Sequence, residues 1–93
     1  MSEKIRAHIF VSGRVQGILF RDRTRKKAQR IGVQGWVKNL IDNRVEMILE
    51  GEKDKIQELI KWIEEEPFLV KVDNLEVKWE KYQSEFHNFE IKY

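Results

Sequence analysis

Ninety-three residues, 41% of them hydrophobic, suit one layered core and exclude both a disordered chain and two stacked domains. With no cysteine, disulfides and thiolate metal sites are excluded, and His8 and His87 stand apart without partners at metal-ligand spacing. The net charge of +2 hides an asymmetry: residues 1–39 carry ten Lys/Arg against two acids, residues 40–93 eight against fourteen.

The first residues, MSEKIRAH, lack the apolar run of a signal peptide, and no segment reaches transmembrane length. A cytoplasmic protein of a single domain over residues 1–93, without membrane contact, is the expectation. No linker, internal repeat or low-complexity tract interrupts the chain.

In chain order, Ile5 to Val11 alternates as a strand, with Ile5, Ala7, Ile9 and Val11 on one face. SGRVQGILFR follows, a loop with glycines at 13 and 17 that runs into a basic helix. Glycine permits positive φ and close approach of a ligand to the backbone. Such a loop aims several free N–H groups at one point, an arrangement that suits an anion. Arg21 lies near the helix start, where the dipole disfavours a cation by about 0.3–1 kcal/mol. That position is unfavourable unless something negative shares the site. The positive field of the basic half would steer an anion there; the bland alternative is a solvated helix face. Neither G-x-x-x-x-G-K-[ST] nor G-x-G-x-x-G is present.

Phe20 to Ile31 reads as the first helix, with Phe20, Thr24, Ala28 and Ile31 inward and Gly32 as its C-cap. Strands are expected over Val33 to Leu40 and Val45 to Glu50, joined by Asp42-Asn43 turn chemistry. Glu46 and Glu50 fall on the polar face of the second of these. A second helix over Lys53 to Glu65 carries Ile56, Leu59, Ile60 and Ile63 at helical spacing, and Pro67 marks its end. Leu75 to Lys81 and Phe89 to Tyr93 alternate again as strands. Trp36, Trp62 and Trp79 read as packing groups.

The order β-α-β-β-α-β, with an extra strand, predicts a ferredoxin-like α+β sandwich. Its sheet is mainly antiparallel and both helices lie on one face. Strands 1 and 2 then run parallel with strand 3 between them. The end of strand 2 must return near the glycine loop, and Asn39, taken as lying on the polar side of GWVKN, is the residue there able to share the site.

GRVQGILFR, then GWVKN, then VEMILEG and a final FEIKY resemble the acylphosphatases from about Ile5 to Tyr93. The resemblance implies hydrolysis of carboxyl–phosphate anhydrides to a carboxylate and phosphate, without metal or cofactor. It implies that Arg21 binds the phosphate and that Asn39 holds the attacking water. The backbone N–H groups of Arg14, Val15, Gln16, Gly17, Ile18, Leu19 and Phe20 match the family's phosphate cradle. The side chain of Arg14 is either a charge beside that cradle or a surface arginine. Leu19 departs from the family's pattern, standing where many members have a small residue.

A small-molecule acyl phosphate is then the expected partner of a monomeric enzyme. One alternative is a non-catalytic anion-binding or regulatory domain of the same fold. Another is an RNA-binding module, which needs aromatic side chains on the central strands. Strand 1 offers Phe10, strand 3 none, so no nucleic acid is expected.

Overall fold

The computed structural model describes residues 3–16, 18–65 and 71–93, without the side chain of Ile18. The elements are β1 (Lys4–Arg14), α1 (Ile18–Ile31), β2 (Gln34–Asn39), β3 (Val45–Glu52), α2 (Lys53–Glu65), β4 (Lys71–Glu80) and β5 (Phe89–Lys92). They form one five-stranded sheet ordered β4-β1-β3-β2-β5. β3 is antiparallel to both β1 and β2, so β1 and β2 run parallel around it, as the sequence predicts. β5 joins the edge of β2 in parallel. This is the ferredoxin-like α+β sandwich.

Alternation explains which face is covered. Ala7, Ile9 and Val11 of β1, Val37 of β2 and Val45, Met47 and Leu49 of β3 are buried on one face with Phe20 and Ala28 of α1 and Ile56, Leu59 and Ile63 of α2. Each of the Val, Leu, Ile, Met and Phe side chains among them contributes about 1.5–3 kcal/mol by leaving water. The two helix stripes therefore dock both helices on the same side.

Boundaries differ from the sequence reading in an informative way. α1 starts two residues earlier than expected, at Ile18, so Arg21 is its fourth residue. β1 runs on to Arg14, pairing with Lys71 of β4 after a register shift at Ser12/Gly13. Gly13 has φ +125°, and a Cβ there would meet the Lys71 carbonyl oxygen at 2.2 Å. The first glycine of the loop thus serves close backbone packing at its base. Gly17 and Pro67 lie outside the described residues. Gly32 takes φ +85° and donates its N–H to the Ala28 carbonyl at 2.9 Å, closing α1 as predicted.

Glu50 lies on the polar face of β3, as expected, yet it is only 1% exposed. Its carboxylate accepts the backbone N–H groups of Gln83 (2.7 Å) and Glu85 (2.9 Å), so the segment between β4 and β5 crosses over it. Arg6, also buried, lies 3.7 Å from Glu50 and donates to Glu85 at 2.9 Å. Trp36 is not in the core either; it is half-buried on this outer face, with the Lys92 ammonium 4.6 Å from its ring centroid.

Candidate active site

The ladders that join β3 to its two flanking strands end at the same level. Val11 of β1 pairs with Val45 of β3, which pairs with Asn39, the last residue of β2. Asn39 is in phase with buried Val37 and so faces the helices. That corrects its assignment to the polar side of GWVKN. Strand periodicity of two, not the polarity of the neighbours, sets its direction.

Arg21 reaches the same end of the sheet from α1. Lys38 of β2 pairs with Lys92 of β5, and Tyr93, one residue on, is in phase with buried Phe89. The Arg21 guanidinium carbon sits 4.9 Å from the Tyr93 ring centroid. Tyr93 is thus a neighbour of Arg21 through its ring, one residue beyond the end of the β2–β5 ladder. Two buried polar atoms here, Arg21 Nε and Asn39 Oδ1, make no hydrogen bond among the described residues. A buried donor and a buried acceptor without partners each cost about 1–3 kcal/mol, a cost that a polar group brought between them would offset.

The local field favours an anion. The first turn of α1 contains no acid. Its backbone N–H groups, those of Ile18, Leu19, Phe20 and Arg21, have no carbonyl one turn earlier within the helix. Asp22, the single acid of α1, is taken up by Arg25 and by Lys26 at 3.1 Å. The Lys26 hydrogen bond, against a smaller desolvation effect, holds its carboxyl below the ordinary aspartate range.

Gln16 supplies a contact that the sequence reading missed. Its side-chain amide donates to the carbonyls of Leu40 (2.6 Å) and Arg44 (3.0 Å), tying the glycine loop to the β2–β3 turn. Inside that turn Leu40 N–H donates to Arg44 O and Asn43 takes φ 73°. Asp42 accepts from the Arg44 backbone and guanidinium, while that guanidinium carbon lies 4.8 Å from the Phe10 ring centroid. The only sequence signal was an amide in a loop with few other polar side chains, which does not name its acceptors.

The other predicted cradle residues are distributed along this path. Arg14 ends β1, Val15 is buried in the core, Leu19 is half-exposed and Phe20 is buried. Among the described residues no group of three or more His, Cys, Asp or Glu side chains could hold a metal. His8 instead contacts Glu46 at 2.6 Å on the outer face. A cavity of about 180 Å³ beside Gln29, Gly32 and Asn88 lies at the other end of β2 and takes no part in this arrangement.

A ferredoxin-like sandwich that brings Arg21, Asn39 and an acid-free helix start to one end of its sheet defines an α+β domain whose local field at that end suits an anion. Comparison with known proteins sharpens the class. The acylphosphatase family model matches residues 7–91. An acylphosphatase of Pyrobaculum calidifontis is 49% identical over 90 residues, covering 96% of this chain and 82% of that protein. One from Roseiflexus sp. is 44% identical, covering 98% of both. The crystal structure of the Bacillus subtilis acylphosphatase superposes with a TM-score of 0.88 at 34% identity, covering 96% of this chain and 99% of that one. The chain belongs to the acylphosphatase family. That membership supports a catalytic protein over a non-catalytic anion-binding domain.

Proposed function

We propose that this single-domain protein hydrolyses small-molecule acyl phosphates at the loop–Arg21–Asn39 end of the sheet. The backbone N–H groups from Arg14 to Phe20 cradle the phosphoryl oxygens, and Arg21 closes over them as a two-pronged donor. Asn39 Oδ1 accepts a hydrogen bond from water and holds that water in line with phosphorus. The water oxygen bonds to phosphorus, the bond from phosphorus to the acyl oxygen breaks, and the carboxylate leaves. A phosphate oxygen of the substrate takes the water's proton, because an amide side chain is no base at neutral pH.

Phosphoryl transfer leaves a protein little covalent work, so positioning and charge stabilisation carry the rate. A bidentate arginine and convergent N–H donors supply both. The observation that carries this reading is the pair of buried, unpartnered atoms, Arg21 Nε and Asn39 Oδ1, beside a helix start without acids. The proposal is completed by a monomer acting in the cytoplasm, with neither cofactor nor nucleic acid.

Two variants test the roles separately. Asn39→Ala is expected to lose turnover of benzoyl phosphate by about 10²-fold while inorganic phosphate still inhibits at similar concentration. Arg21→Lys, keeping the charge but not the planar fork, is expected to lose both turnover and phosphate inhibition. Near-normal turnover in folded Arg21→Lys removes Arg21 from the site. Equal loss of rate and inhibition in Asn39→Ala moves Asn39 to anion binding.

A further inference from the structure

The large hydrophobic side chains exposed among the described residues are Leu19 (54%), Ile41 (104%), Trp79 (40%) and Tyr93 (87%). Single exposed apolar residues carry no information, but their distribution here does. Trp79 pairs with Ala7, in the row that runs through Leu49 to Gly35, four residues along the strands from the row ending at Asn39. The other three belong to the active-site end. Leu19 is two residues before Arg21, and Ile41 is two residues after Asn39, in the turn that Gln16 grips on either side at Leu40 and Arg44. Tyr93 has its ring against Arg21.

Two of these positions run against local preference. The first turn of a helix favours small polar or acidic side chains, yet Leu19 is there. Ile41 occupies a turn otherwise made by Asp42 and Asn43, and it is wholly exposed, so it contributes nothing to folding through burial. Two of the charged groups near this rim are engaged within the protein. Arg44 is paired with Asp42 at 2.8 Å and stacked near Phe10, and Asp22 is neutralised by Lys26 and Arg25. Beside the exposed Arg14, a group projecting out of the phosphate cradle finds apolar surface at Leu19, Ile41 and Tyr93.

We propose that Leu19, Ile41 and Tyr93 form an apolar rim that selects acyl phosphates whose acyl group is itself apolar, an alkyl or aryl carboxyl phosphate, over those with charged or strongly hydrophilic acyl groups. The inference rests on the proposed function, since the phosphoryl end must sit at Arg21 for the acyl end to meet the rim. The carbon chain loses water against the three side chains while the anhydride is held below. Because the rim is open, it covers the acyl group only in part, so the selectivity per methylene is modest.

The test compares acetyl phosphate with butyryl phosphate, which share one reacting group and differ by two methylenes. In the wild-type protein kcat/KM is expected to be about fivefold higher for butyryl phosphate, less than full burial of both methylenes would give. In Ile41→Ser that ratio falls toward one while acetyl phosphate turnover stays as it was. Leu19→Ser lowers the ratio in the same direction, and the double variant abolishes it. Tyr93 is kept intact because its ring supports Arg21. A wild-type ratio of one or below, or a ratio unchanged in both serine variants, overturns the proposal. Arg21→Lys run on the same pair separates the two readings: loss of both substrates in equal proportion leaves the site assignment standing whatever the ratio, and retained turnover of both sinks that assignment instead.

Discussion

Glu50 Oε2 accepts the backbone N–H of Gln83 at 2.7 Å, across a separation of 33 residues. With the second bond to the Glu85 N–H, one buried carboxylate fixes the path by which the chain crosses from β4 to the opposite edge of the sheet. That path delivers β5, and with it Tyr93, to Arg21. A residue on the outer face of the sheet is therefore linked to the geometry of a site on the helix face.

Glu50→Ala is expected to lower stability by about 3–5 kcal/mol. It leaves Arg6 without its closest buried counter-charge and two N–H groups without acceptors. Glu50→Gln keeps one acceptor and should cost less than half as much. Urea unfolding midpoints of the two variants give the comparison, and equal midpoints would remove the latch role.

The Gln16 amide bridges the loop and the turn after Asn39, so its loss should reach catalysis through position. Gln16→Ala gives up two hydrogen bonds, each worth about 0.5–1.5 kcal/mol net. Turnover is expected to fall about tenfold. Gln16→Glu should be worse than Gln16→Ala, because a carboxylate would face two carbonyl oxygens and a bound phosphate with no proton to donate. Steady-state kinetics rank the two, and a better Gln16→Glu than Gln16→Ala contradicts the bridge.

The turn itself has a pH signature. The Arg44 backbone N–H, then its side chain, hold the Asp42 carboxyl below the ordinary aspartate value, against a smaller desolvation effect. A depressed folded value means the contribution to stability is present above the unfolded-state value of about 3.9 and fades as pH falls through the folded one. The Asp42 carboxyl carbon should therefore titrate below that of an unstructured aspartate in a carbon-detected NMR series. Asp42→Asn should remove this part of the acid sensitivity. A midpoint at or above the ordinary value would show that the Arg44 contacts do not form in solution.

Much of the molecule is written locally. Period-two alternation in the strands, the i, i+3, i+4, i+7 stripe of Ile56, Leu59, Ile60 and Ile63, and the cap at Gly32 each depend on neighbours a few residues away. Those elements and their order are what the sequence predicts, and the ferredoxin-like sheet follows from the handedness of βαβ crossings. The two-part GRVQGILFR and GWVKN pattern points to the family for the same reason, since each half is contiguous. Tertiary structure alone decided the rest. Glu50 is buried because a distant segment covers it. Gln16 meets Leu40 and Arg44, and Tyr93 meets Arg21, only once five strands are in register. These contacts join residues 24 to 72 positions apart, where no local periodicity or propensity acts, so only packing brings them together.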